Sequence, residues 1–301
     1  MKKNWAPIAL AAFAVVDLVL VYLAFRHTSA PAAGAADPTT QATSSPATSG
    51  SASRSAGSSS SAAGSSAPGQ QAPASALLSM ASDGTVLRAT AGACQGGNEA
   101  KIELSTDSGK SFNQVGDGAR EVLRVIAKSQ ANLQYVGADE SCAVSLYQSV
   151  DGGKTWSKGP ADGSWYLKPG GKGLVAPGGN AGDVGCTPVA LSVVSKQSAF
   201  VACSDGSVRS SSNGGAQWQQ AGAPSGVVSV SFLDQSNGYA LAVGQQCPAE
   251  VRRTNDGGAT WTPVGCIQGS QPQALDAIGQ RVFATVDGKA HMSSDGGATW
   301  S

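Results

Sequence analysis

The chain has 301 residues, with 20 lysines and arginines against 20 aspartates and glutamates. This balance argues against a nucleic-acid partner, because proteins that bind polyanions usually carry a basic surplus on one face. Glycine accounts for 39 residues and charged residues for only 13% of the chain, which favours a turn-rich β protein over a helical one.

The N-terminal part of the chain, residues 1–27, contains an apolar run suited to a membrane helix. Residues 5–25 carry a single charge, Asp17, and their number matches the roughly 20 residues that span a bilayer. Two lysines precede the run, so the positive-inside rule predicts a cytoplasmic N-terminus and an exported C-terminal domain. We therefore predict an uncleaved signal anchor and a single-pass membrane protein. The small residues at 33–36 leave a cleaved signal peptide as the alternative.

Residues 28–76 consist mainly of serine, alanine, glycine, proline and threonine. Such a segment buries too little apolar surface to offset the entropy of ordering it. We therefore predict a disordered linker between the anchor and the rest of the chain.

All six cysteines lie beyond this linker. There is no Cys-x-x-Cys pair and the chain has only two histidines, so we predict no metal site and no other cofactor. An even number of cysteines on the exported side of an anchor indicates three disulfides. The cysteines are Cys94, Cys142, Cys186, Cys203, Cys247 and Cys266.

One eight-residue pattern occurs five times after the linker. It reads STDSGKSF, SVDGGKTW, SSNGGAQW, TNDGGATW and SSDGGATW. The starting positions are separated by 44, 62, 43 and 39 residues. Five occurrences at this period indicate a repeat architecture built from one supersecondary unit.

The pattern resembles the Asp-box, or BNR repeat, of sialidases, sortilin-type receptors and the propellers that include photosystem II assembly factors. The resemblance covers residues 77–301 and implies a β-propeller. The third copy is degenerate, because Asn213 replaces the motif carboxylate and Gln217 replaces its threonine.

The residues of each box favour a hairpin on their own. A strand-like alternating run precedes the box, as at residues 143–147. The central glycines suit a tight turn with positive φ, and the aspartate, serine and threonine oxygens can bond the amides of the turn. We therefore assign each box the structural role of a hairpin staple. The residues with this role are Asp107, Phe112, Asp151, Trp156, Asn213, Trp218, Asp256, Trp261, Asp295 and Trp300.

Each repeat unit also supplies two further strand-like runs, such as residues 122–126 and 133–137 in the second unit. Four strands per unit and five units predict an all-β, five-bladed β-propeller of four-stranded blades over residues 77–301. This gives 45 residues per blade, too few for six or seven blades. The sequence ends directly after the fifth box, so the last outer strand comes from residues before Leu77 or from another chain, or the edge stays open.

The same layout predicts the disulfide pairs. In a four-stranded antiparallel blade, the start of the first strand, the end of the second, the start of the third and the end of the fourth share one face. Two cysteine pairs then flank neighbouring strands, and the remaining two cysteines occupy the same loop of adjacent units. The predicted pairs, all on the face opposite the boxes, are Cys94–Cys142, Cys186–Cys203 and Cys247–Cys266.

The segment from residue 157 to 187 accounts for the longest spacing between boxes and contains Trp165, Tyr166 and Leu167. Loops carry specificity on a propeller scaffold, and exposed aromatic residues are suited to anchoring a protein or glycan. We therefore take these three residues as candidate binding residues. The alternative is that Trp165 and Tyr166 fold back to fill the central channel or cover a blade edge.

The resemblance includes glycosidases, whose site needs three arginines, a tyrosine nucleophile with a glutamate, and an acid/base aspartate. The Phe/Tyr-Arg-Ile/Leu-Pro stretch of sialidases is absent before the first box. Arg252 and Arg253 alternate along one strand, so they cannot both serve one pocket. By number alone, the candidate arginines are Arg120, Arg124, Arg209, Arg252 and Arg253. No hydrolase, metal or nucleotide motif occurs elsewhere in the chain. We therefore predict no catalytic residue and no enzymatic activity.

Together these features predict a non-enzymatic, membrane-anchored, exported propeller that acts as a binding or scaffold module. Its membrane contact runs through residues 5–25, and its partner is a protein or a cell-surface glycan rather than a nucleic acid. The alternatives are a divergent sialidase-like glycoside hydrolase and an assembly factor for a membrane complex.

Overall fold

The computed structural model of the chain describes residues 76–116, 118–222 and 224–301. The predicted anchor at residues 5–25 lies outside these ranges, and so does the predicted linker except for Ala76. Both therefore stay predictions. Over the described ranges, no helix has the length and apolar character needed to cross a bilayer.

Six antiparallel sheets follow one another along the chain, and each is one blade of a β-propeller. Blade 1 consists of β1 Ala76–Met80, β2 Val86–Thr90, β3 Lys101–Ser105 and β4 Asn113–Gly116. Blade 2 consists of β5 Glu121–Ala127, β6 Leu133–Ala138, β7 Val144–Ser149 and β8 Ser157–Gly159. Blade 3 consists of β9 Tyr166–Leu167, β10 Leu174–Ala176 and β11 Gly179–Asn180.

The remaining three blades are built from the C-terminal half of the chain. Blade 4 consists of β12 Pro188–Val193, β13 Ala199–Cys203, β14 Val208–Ser211 and β15 Gln219–Gln220. Blade 5 consists of β16 Val227–Phe232, β17 Gly238–Ala242, β18 Glu250–Thr254 and β19 Thr262–Cys266. Blade 6 consists of β20 Pro272–Ile278, β21 Arg281–Val286 and β22 Lys289–Ser293.

The first strand of each blade is the innermost one. It contacts the first strand of the following blade, and β20 in turn contacts β1, so the ring closes at its centre. The second strands, such as β13 and β17, are buried along their whole length. Their sequences are continuously apolar rather than alternating, because both faces of a blade pack against neighbouring blades.

The prediction of five blades is wrong, and the structure has six. The predicted insert at residues 157–187 contains the outer strand of blade 2 and the whole of blade 3. The strands of blade 3 have only two or three residues, and this blade has no Asp-box. The estimate of 45 residues per blade assumed equal blades, and a blade this short violates that assumption.

Blade 6 has three strands in the described part of the chain. Ser301 takes the first pairing position beside β22, because its N–H donates to the carbonyl oxygen of Met292 at 3.0 Å and its own carbonyl accepts from the Met292 N–H at 3.2 Å. The residues before Ala76, which we considered for the outer strand, lie outside the described ranges. Closure by that segment stays a prediction.

Candidate functional site

Each Asp-box folds into the same hydrogen-bonded turn, shown here for the second box. The Ser149 hydroxyl accepts from the N–H of Gly153 at 2.8 Å and donates to the Asp151 carboxylate at 2.8 Å. The backbone N–H and hydroxyl of Thr155 donate to the two oxygens of that carboxylate, at 3.0 and 2.6 Å. These hydrogen bonds, led by that of the Thr155 hydroxyl, lower the pKa of Asp151 to about 2.

The same contacts recur in the first, fourth and fifth boxes. They lower the pKa of Asp256 and Asp295 to about 2 and that of Asp107 further. In the third box the Asn213 side-chain oxygen accepts from the Gln217 N–H at 3.0 Å, and its amide donates to the Gln217 side-chain oxygen at 3.4 Å. The two replacements are complementary, so the degenerate box keeps its turn without a charge.

The aromatic residue that closes each box packs on the preceding blade. The Trp156 Nε1 donates to the carbonyl oxygen of Val115 in blade 1 at 2.7 Å, and a Cβ at Gly153 would lie 2.7 Å from the Val115 Cβ. Each box therefore seals one blade against its neighbour. This geometry gives the boxes an architectural role and brings no two of their carboxylates together.

The candidate binding residues at 165–167 do not form an exposed loop. Trp165 is 2% exposed, and its Nε1 donates to the carbonyl oxygens of Ser195 at 3.0 Å and Lys196 at 3.2 Å. Leu167 is buried as well, whereas Tyr166 is half-buried, and burial raises its pKa. Trp165 packs under the third box, because a Cβ at Gly215 would lie 3.0 Å from its ring. Trp165 and Leu167 are thus core residues of blade 3.

Three disulfides join the cysteines in the pairs that the strand layout predicts. Three cysteines lie in loops between second and third strands, one lies just before the first strand of blade 4, and two are the last residues of β13 and β19. The boxes instead follow the third strands of their blades. The pairs are Cys94–Cys142, Cys186–Cys203 and Cys247–Cys266.

The residues that a sialidase-like site would need are dispersed. Of the five candidate arginines, Arg124 alone lines the central channel among the described residues. Arg120 and Arg252 form ion pairs with glutamates, and Arg253 lies over the ring of Tyr239. The three strand tyrosines are 0%, 7% and 2% exposed, in the order Tyr135, Tyr147 and Tyr239.

The central channel is a cavity of about 280 Å³ lined by the inner strands of all six blades. At one level of the channel, a side chain of one inner strand accepts a hydrogen bond from a backbone N–H of the next blade. Ser79, Ser192 and Ser231 do this in blades 1, 4 and 5, at 3.0, 2.8 and 3.1 Å. In blade 6 the residue at this level is Asp276, and it accepts from the N–H of Met80 at 2.8 Å. Asp276 thus joins the last blade to the first.

Asp276 and Arg124 are the two charged residues that line the channel in the described part of the chain. The second Asp276 oxygen accepts from the Ser231 hydroxyl at 2.6 Å. Burial raises the pKa of Asp276 and lowers that of Arg124 to about 10. The Nη1 of Arg124 donates to the carbonyl oxygen of Trp165 at 3.1 Å. The guanidinium and the carboxyl are not within ion-pair distance, but the charge of Asp276 raises the pKa of Arg124 and the charge of Arg124 lowers that of Asp276.

The sequence interpretation gave Asp276 no role and considered Arg124 only as one of the five candidate arginines of a sialidase-like site. Each of the two is a charged residue inside an otherwise apolar strand, as in VLRVI at residues 122–126 and ALDAI at residues 274–278. Charged residues are unfavourable in buried strands unless they are paired. A single charged residue inside an apolar strand was therefore the sequence signal that could have identified these two residues. Over the described ranges, no group of three or more histidine, cysteine or acidic residues could hold a metal ion.

Comparisons with known proteins give a likeness of fold at low sequence identity. No protein-family model matches the chain, and no curated protein matches it in sequence. A structure of YCF48 bound to D1 peptide is 16% identical and covers 77% of this chain and 67% of that chain, with a TM-score of 0.30. A structure of YCF48 from Cyanidioschyzon merolae is 15% identical and covers 75% and 69%, with a TM-score of 0.31. The likeness assigns no ligand to this chain.

Proposed function

We propose that this protein is a non-enzymatic binding module that is held on the outer side of a membrane and receives part of a protein partner in its central channel. A cell-surface polymer is the alternative partner. The observation that carries the proposal is Arg124, a cation that lines the channel and makes one hydrogen bond to the described residues, to the Trp165 carbonyl. Its other donors remain available to a ligand.

The size of the channel supports recognition of a small part of a partner. Its volume of about 280 Å³ lies at the lower end of the roughly 300–1,000 Å³ typical of ligand sites. It therefore suits a side chain or a short extended segment rather than a folded surface. One of the similar structures contains a bound peptide. That observation belongs to YCF48, and our proposal rests on the residues of this chain.

The three disulfides support an exported location and a rigid scaffold. Disulfides persist in oxidising compartments outside the cytoplasm. Each of the three closes a loop of 17 to 48 residues on one face of the propeller. A braced ring holds Arg124 in place before a ligand arrives, which lowers the entropy cost of binding.

The test is capture of the partner by the full-length protein from its native membranes. We expect the wild type to recover a partner that Arg124→Met fails to recover, since methionine keeps the apolar stem and removes the charge. Arg253→Met is the matched control, because Arg253 is exposed on β18 and does not line the channel. Recovery of the same partner by wild type and Arg124→Met would exclude the channel as the site.

The non-enzymatic part of the proposal has its own test. The purified full-length protein is incubated with a panel of fluorogenic glycosides, and we expect no turnover. Turnover that one arginine or glutamate substitution abolishes would establish a glycoside hydrolase instead.

A further inference from the structure

The position of Arg124 within its strand is unusual for this protein. In β5, β12, β16 and β20 the pairing register with the second strand shifts near the start of the strand. The residue directly after the shift is Arg124 in β5, but Ala190, Ser229 and Ala274 in the other three strands. A large cation therefore occupies a position that three other blades fill with a small side chain.

The short blade 3 explains how the channel accommodates this arginine. The inner strand β9 has only two residues, so it leaves room beside blade 2. Arg124 reaches across to the carbonyl of Trp165 in that blade. Filling this space would require only an apolar side chain, whereas a guanidinium brings a charge that burial penalises.

The charge of Arg124 is not neutralised by a contact within the described residues. Its pKa of about 10 keeps it protonated at neutral pH. Asp276, the other charged group of the channel, is beyond ion-pair distance, and both its oxygens accept hydrogen bonds from Ser231 and Met80. A partly buried cation without a close counter-ion favours the binding of an anion, and a carboxylate fits a guanidinium through two parallel hydrogen bonds.

From these contacts we propose that the group received in the channel is the carboxylate of an acidic segment of the protein partner, bound by Arg124 opposite Asp276. The inference rests on the proposed function and names its ligand. A single arginine balances a monoanion, whereas a phosphate dianion would require further cations that the lining of the channel does not supply.

Asp276 couples this binding to pH. The other lining residues are serines and apolar residues, so among the described residues Arg124 and Asp276 are the titratable groups that face the bound anion. Because burial raises the pKa of Asp276, this carboxyl is protonated at a higher pH than an ordinary aspartate, and its protonation removes the repulsion between the two carboxyl groups. The affinity for a carboxylate therefore rises as the pH falls through the pKa of Asp276, and it is lost once the ligand itself is protonated.

The experiment is calorimetric titration of the full-length protein with two five-residue peptides of glycine and serine. One has a central glutamate and the other a central glutamine, and sodium acetate tests whether a free carboxylate suffices. We expect the glutamate peptide to bind about tenfold to a hundredfold more tightly than the glutamine peptide, as expected for a charged hydrogen bond. Arg124→Met abolishes this preference, Arg124→Lys keeps part of it, and Arg253→Met leaves it unchanged.

A second arm tests the role of Asp276. Asp276→Ser introduces the residue found at the same level in three other blades, so we expect it to fold and to bind the glutamate peptide with an affinity that no longer depends on pH. Equal affinity for the two peptides, or no binding of either, would overturn the inference. If the peptides give either of these results but Arg124→Met still fails to capture the native partner, the proposed function stands and only the ligand class is wrong. Binding of acetate as tight as that of the peptide would assign the channel to a small carboxylate instead of a protein.

Discussion

Two regions of this propeller use hydrogen bonds between side chains and backbone in different ways. One is the rim, by which we mean the five Asp-boxes, and the other is the central channel. At the rim, four of the five Asp-boxes make the same hydrogen bonds. The third box makes an uncharged version of them with Asn213 and Gln217. At the channel, blades 1, 4 and 5 share a serine that binds the next blade, but blade 6 has Asp276. Blade 2 differs at another level of the channel, where it has Arg124 and three other blades have Ala190, Ser229 and Ala274.

The difference separates architecture from candidate function. A contact that stabilises the fold is needed in every blade, so its residues recur with the repeat. A binding site is needed once per molecule, so its residues break the repeat. The three predictions below test this distinction, from the largest expected effect to the smallest.

The first prediction concerns Trp165, a core residue of blade 3 that packs under the third box although it lies outside any Asp-box. Trp165→Ala removes a buried ring from beneath the third box and should lower the free energy of unfolding by about 3–5 kcal/mol. Urea denaturation followed by circular dichroism measures this loss. Trp165→Phe keeps most of the volume and should cost less. An Ala variant as stable as wild type that no longer captures the partner would instead make Trp165 a contact residue.

The second prediction concerns the bond between the last blade and the first. Asp276→Ala leaves the Met80 N–H and the Ser231 hydroxyl without their acceptor, which should cost about 1–3 kcal/mol in the free energy of unfolding. Asp276→Ser retains an acceptor and should cost less, since serine accepts the equivalent amide in three other blades. Denaturant unfolding compares the two variants. Equal losses would show that the acceptor at this level does not stabilise the ring.

The third prediction is a pH-dependent effect at one box. The folded pKa of Asp151, about 2, lies below the ordinary value of 3.8. Its stabilising contribution is therefore present above pH 3.8 and is lost as the pH falls through 2. Asp151→Ala should lower the melting temperature by about 2–6 °C at neutral pH and by less than half of that near about pH 2.5.

Asn213→Ala is the matched control for Asp151→Ala. The asparagine makes related hydrogen bonds in the third box but does not titrate, so its cost should not change with pH over this interval. Differential scanning calorimetry at the two pH values measures both variants. A cost for Asp151→Ala that stays constant with pH would rule out the ionised carboxylate as the origin of the stabilisation. Partner capture should be unaffected by either variant.

The rim was largely predictable from the sequence, and the channel was not. A box is a local motif, since Asp151 bonds residues within four positions of itself. The channel bond between Asp276 and Met80 joins residues 196 positions apart, and no local pattern indicates it. The sequence left Trp165 open between an exposed contact residue and a residue that packs back on the propeller, and long-range packing under the third box buries it.

By itself, the sequence determined the all-β propeller, the position of most strands, the turn at every Asp-box and the pairing of the cysteines. These features depend on residue spacing and on the fixed geometry of antiparallel blades. Only the tertiary structure decided the number of blades and the composition of the channel. Blade 3 has strands too short to produce a periodic pattern, and its inner strand lies between the inner strands of blades 2 and 4, which it contacts. Arg124 and Asp276 become one site because ring closure brings distant inner strands around a common axis.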